Sequence, residues 1–281
     1  MSEAQIPGQP DQIPGQPDQM PGQPMGPAGQ SVEPDNRVQW TGIDVFISVG
    51  LVILAFFFAF IVIETMLLVV LATDPEFDPA TINDSRLAVS LLMVMQWVVT
   101  LAVPITYLKI RGYRLSAVTM GFRRTRFWPA AGWLFVVLVA TSFLQVGYGW
   151  IIETLAGESQ LPSEVPSQDV TTLYGSSASA FILTFIAVAL ITPLVEELFF
   201  RGIVHRGLEQ HFGFLAGGAL SAFIFALAHI DYRLFVPIFG LGFGLAFLVH
   251  KTGSIWPSVG GHFLINSLGV VAQYANLGNG E

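Results

Sequence analysis

Glu196 and Glu197 stand side by side inside a long apolar run that reads EELFFR, with Arg201 four residues beyond the second carboxylate. Such groups in a membrane-length segment cost a few kcal/mol each before a partner is found, and mark function by default. Glu197 and Arg201, acid first at i,i+4, share a helix face and can pair. Glu196 points about 100° away from Glu197 around the same helix. One carboxylate is thereby neutralised and the other left free, and a free carboxylate held out of water suits a general base. Pro193, one turn earlier, lacks an N–H and predicts a kink beside the pair.

Two further groups have types suited to the same chemistry. Glu196 precedes Gly213 by 17 residues and His229 follows it by 16. With Gly213 as the turn of an antiparallel hairpin, both lie about 25 Å from it at 1.5 Å per residue, at one level. His262 and Asn266, at i,i+4, project from one face of the last helix, and both can donate hydrogen bonds. Taken alone, His229 is a packing histidine and the His262/Asn266 pair is polar glue between helices. The same arithmetic places His262 about 14 Å beyond a turn at Gly253, so the sets meet only if the Gly213 turn protrudes about 10 Å further. His205, Arg206 and His211 on that extension are then expected in solvent.

These residues require a helical scaffold in a membrane. The chain of 281 residues is 53% hydrophobic and only 11% charged, with mean hydropathy +0.62, against about 25% charged for a soluble domain. The expected class is an all-α, polytopic transmembrane helix bundle. Seven apolar segments are long enough to span, near 42–72, 87–108, 129–155, 180–207, 214–230, 234–250 and 255–274. The segment Arg111 to Trp128, where arginines mix with Leu, Met, Phe and Trp, reads equally as an interfacial helix, which would make an eighth element, or as an ordinary positive-inside loop. Six basic residues from Lys109 to Arg126 crowd the second connection, while acids dominate the first and third. That asymmetry predicts a cytoplasmic N-terminus in a cell membrane.

Net charge −8 argues against a nucleic-acid partner, and the absence of cysteine excludes disulfides, thiolate metal sites and a cysteine nucleophile. Residues 1–40 form a polar tail in which IPGQPDQ repeats at Ile6 and Ile13, a composition expected to stay disordered. The membrane domain is expected over 41–281, with its chemical core at 180–276. Gly240, Gly242 and Gly244 follow no strand and predict close helix packing rather than a dinucleotide loop. Glu64 is the other carboxylate deep in an apolar run, and Asp231 is a loop acid or an orienter of His229.

The three motifs EExxxR at Glu196–Arg201, FxxxH at Phe225–His229 and HxxxN at His262–Asn266, in this order, resemble the CAAX protease and bacteriocin-processing (CPBP, or Abi) family of intramembrane glutamate-dependent endopeptidases. The resemblance implies that Glu196 activates a water, that His229 positions or polarises it, and that His262 and Asn266 stabilise the tetrahedral oxyanion. Glu197, Arg201 and Phe225 form the supporting set. It also implies a metal-independent hydrolase acting on a peptide or lipidated protein beside membrane lipid, with no cofactor. Zinc stays open as an alternative, because Glu196 or Glu197 with His229 and His262 is an acceptable catalytic zinc set, although no HExxH is present. Two other classes compete: a non-catalytic immunity or scaffold protein of the same fold, and a proton-coupled transporter. Transporters usually carry internal repeats, and none is visible among these helices.

Overall fold

The computed structural model describes residues 38–74, 76–78, 85–156, 170–231 and 233–278. The heptapeptide repeats lie outside them. All regular structure among the described residues is helical: α1 (Gly42–Thr73), α2 (Arg86–Ile110), α3 (Phe127–Ala156), the single turn α4 (Thr171–Tyr174), then α5 (Ala178–Thr184), α6 (Thr192–Glu197), α7 (Arg206–Ala228), α8 (Phe235–Thr252) and α9 (Trp256–Gly278). Helices α5, α6 and α7 form one continuous run joined by two π-helical stretches, Phe185–Ile191 and Leu198–His205.

The protein is an all-α membrane bundle. Among the described residues, five helical runs are long and apolar enough to cross a membrane: Gly42–Thr73, Arg86–Ile110, Phe127–Ile152, Ala178–Ala228 and Phe235–Thr252. The fourth, of 51 residues, holds two of the seven expected segments. It reverses at Gly213, whose φ of 73° and ψ of 172° leave the helical region. Only glycine adopts that conformation without strain. The seventh expected segment forms α9. Side chains such as Phe57 and Phe58 on α1 and Phe143 on α3 stay exposed, as lipid-facing positions require.

Lipid tails are as apolar as leucine, so close approach holds such helices together. Gly240 and Gly244 of α8 meet Leu144 and Val137 of α3, as the glycine spacing predicts. At the Gly213 reversal, a Cβ on Gly217 would lie 2.5 Å from the Glu209 nitrogen, so the returning helix touches the outgoing backbone.

The folded part starts before residue 41, because Val38 and Trp40 are buried. Thr41 caps α1 in a reciprocal box with Asp44. The buried Asp44 carboxylate also accepts from Tyr107 (2.9 Å), Tyr113 (2.7 Å) and Arg111 (3.1 Å). This pins the start of α1 to the end of α2. The hydrogen bond to Asp44 holds the Tyr113 hydroxyl above its usual pKa.

Of the two readings of the second connection, the structure has the loop and not the interfacial helix. Residues 113–126 form turns that dock on the bundle: Arg206 donates to the Thr119 and Gly253 carbonyls, Ile255 N–H to Gly121, and the Ser254 hydroxyl to Arg123. Backbone groups committed to tertiary partners are not free to close helical turns.

Candidate active site

The six-residue α6 carries both glutamates between the two π stretches. Wide i→i+5 turns are rare and concentrate at functional sites. Pro193 follows the first one after a single residue, Thr192. There the Thr192 N–H bonds the Ala187 carbonyl five residues back, so the expected kink takes the form of a widened turn. Three side chains from outside donate into the π stretches: Asn266 to the Val188 carbonyl (2.9 Å), Ser221 to Phe200 (3.3 Å) and the Trp40 indole to Ile203 (3.0 Å). Such partners matter where no water reaches the backbone.

The two carboxylates have opposite surroundings. Glu197 is wholly buried and its Oε1 meets Arg201 Nη1 at 3.0 Å and His262 Nδ1 at 3.1 Å. Arg201, also wholly buried, donates from Nη2 to the Gly242 carbonyl (3.1 Å) and lies 4.4 Å over the Phe225 ring. Glu196 is 17% exposed, and its buried Oε2 has no hydrogen-bond partner. That oxygen lies 3.8 Å from His262 Nε2.

Phe225 joins the set physically. Its buried ring lies 4.7 Å from the His229 ring, 5.7 Å from His262 and 5.0 Å from Phe200. His229 caps α7, with Nδ1 2.8 Å from the Phe225 carbonyl. A proton on Nδ1 satisfies that carbonyl and leaves Nε2 bare in the neutral ring. His262 follows the same logic: with Nδ1–H donated to Glu197, Nε2 carries a proton only in the charged ring. Asn266 commits one amide hydrogen to Val188 and keeps the other.

Other sequence expectations resolve differently. His205 is fully buried rather than solvated; its Nε2 is 3.2 Å from Glu209, whose other oxygen meets His250 Nδ1 at 2.5 Å. Arg206 is half-buried against the 119 and 253 carbonyls, while His211 is exposed as expected. Glu64 faces outward from α1. Asp231 pairs with Arg233 at 3.1 Å, which holds its carboxyl below the ordinary range. Among the described residues no group of three or more His, Asp or Glu is arranged to hold a metal ion. Sequence reading missed Trp40, Ser221 and the Gly242 carbonyl. Only Trp40, an aromatic at the head of the first span, carried any signal.

Residues 178–268 match the family described as type II CAAX prenyl endopeptidase Rce1-like. This segment is similar to that family. It contains all three motifs and ends two residues beyond Asn266. Over 91 residues the chain is 31% identical to the protein of Bacillus subtilis (strain 168) named "Putative membrane peptidase YdiL". The match covers 32% of this chain, and the chain spans about 37% of that relative's length. No solved structure matches the chain.

Proposed function

We propose that this chain is an intramembrane endopeptidase of the CAAX-processing type, in which Glu196 activates the hydrolytic water. The observation that carries the reading is the division between the carboxylates. Glu197 is wholly buried and balanced by Arg201, while Glu196 is 17% exposed and has no guanidinium beside it, its Oε2 lying 3.8 Å from a histidine nitrogen.

In the proposed cycle Glu196 takes one proton from water as the oxygen attacks the scissile carbonyl. His229 Nε2 accepts the other water hydrogen and so orients the nucleophile. The carbonyl oxygen becomes an oxyanion, and the free amide hydrogen of Asn266 and the His262 ring donate to it. Such a donor is typically worth about 10²–10³ in kcat. Collapse breaks the C–N bond, and Glu196 returns its proton to the leaving amine. Glu197, with Arg201 behind it, holds the His262 ring by Nδ1. The substrate is a peptide or lipidated protein at the membrane, and the N-terminus is cytoplasmic by the distribution of basic residues.

The test is cleavage of prenylated and unmodified peptides by purified wild type and Glu196→Ala, with and without a strong chelator. Cleavage that survives chelator and is lost in the variant is expected. Loss with chelator and recovery with zinc supports a metalloprotease, and retained activity in folded Glu196→Ala refutes the proposal.

A further inference from the structure

A second cavity touches the run that carries the glutamates, at Leu198. Between α2 and the 115–122 turns is a groove of about 320 Å³, within the range of small-ligand pockets, about 300–1,000 Å³. Leu101 and Ile105 of α2, Met120 and Phe122 of the turns, and Leu198 form its apolar walls; Lys109 and Ser116 supply the polar groups. The apolar run of α2 ends at Lys109, so the groove lies where hydrocarbon gives way to headgroups.

Charge specifies the occupant. From Ser85 to Ile152 the chain has no acidic residue, while Lys109, Arg111, Arg114, Arg123, Arg124 and Arg126 carry six positive charges. Arg111 is committed to Asp44. Lys109 and Arg114 remain exposed beside the groove. An apolar slot with an ammonium in its lining matches a ligand with a long tail and an anionic head.

We propose that this groove seats one acyl chain of an anionic phospholipid from the surrounding leaflet, with Lys109 facing its phosphate. The seat is coupled to the catalytic run by its own walls. Leu198 follows Glu197 directly and opens the second π stretch. The Met120 carbonyl lies so near Gly202 in that stretch that a Cβ there would sit 3.1 Å away. A bound chain holds the 115–122 wall against the stretch that carries Arg201. The inference concerns binding and does not depend on the peptidase reading.

The experiment uses the full chain, delipidated in a neutral detergent. Thermal unfolding is followed with added phosphatidylglycerol, phosphatidylcholine of the same chains, or glycerol 3-phosphate, and native mass spectrometry counts retained lipid. Phosphatidylglycerol is expected to raise the midpoint with concentration and to remain bound at one copy; the other two are expected to leave it unchanged. Lys109→Gln weakens the phosphatidylglycerol effect about fivefold, the contribution of one basic residue near an anionic surface. Ala117→Phe, which places a ring in the groove, abolishes it; if that variant does not fold, Lys109→Gln alone decides. Equal shifts with both lipids, an undiminished effect in Lys109→Gln, or displacement of the lipid by a prenylated peptide overturns the proposal. The last outcome assigns the groove to a substrate tail.

Discussion

Replacing Arg201 with methionine keeps a long apolar stem and removes the guanidinium. Glu197 is then left wholly buried beside His262 and Ser258, with no guanidinium to balance it. At 3.0 Å the lost ion pair is worth about 5–6 kcal/mol at an effective dielectric of about 20. The bond to the Gly242 carbonyl and the contact over Phe225 disappear with it. Against this stands the relieved cost of burying the cation, so the net loss should fall at about 3–5 kcal/mol, as for other buried pairs broken on one side. That is a large part of a typical stability of about 5–15 kcal/mol. The assay is reversible unfolding in mixed micelles of wild type, Arg201→Met, Glu197→Gln and the double variant. The double variant should be more stable than Arg201→Met, because it no longer buries an unpaired charge. A loss below about 1 kcal/mol for Arg201→Met, the size of an exposed pair, would refute the account of this pair.

Trp40→Phe keeps the ring but removes the donor to Ile203; about 1–3 kcal/mol should be lost, and hydrogen exchange should rise selectively over residues 198–205. Gly217→Ala drives a Cβ to 2.5 Å of the Glu209 nitrogen; a loss of about 1–3 kcal/mol or more, read as a lowered melting midpoint, should follow. Asp44→Asn removes the charge that accepts from Tyr107, Tyr113 and Arg111. The absorbance titration of Tyr113 should then move down toward its ordinary value, because the hydrogen bond that raises it is weakened.

The helical class and the pairing of Glu197 with Arg201 follow directly from residue spacing, as does the packing role of the α8 glycines. Gly213 was readable as a turn because a positive φ is needed there, and the returning helix sets Phe225 against Phe200 and Arg201 of the second π stretch. The two π stretches had no such signal. Their widened turns accept bonds from Trp40, Ser221 and Asn266, residues 163, 21 and 78 positions away from their acceptors. Local propensity does not report a register held by distant donors. His205 misled in part for the same reason: its partner Glu209 is only four residues on, but His250, which meets the other Glu209 oxygen, comes from α8. The 113–126 segment carries the composition of an interfacial helix, but its backbone groups bond Arg206, Ser254 and Ile255 instead.

The division of labour between the glutamates is tested most directly by kcat/KM on one cleaved peptide for wild type, Glu196→Gln and Glu197→Gln, each normalised to folded protein and paired with its melting midpoint. Glu196→Gln should lose about 10²–10⁴-fold or more in activity while melting close to wild type, since its buried Oε2 has no hydrogen bond to lose and meets His262 only at 3.8 Å. Glu197→Gln should lower the midpoint, since it strands Arg201. A folded Glu196→Gln variant that cleaves at the wild-type rate would contradict the account.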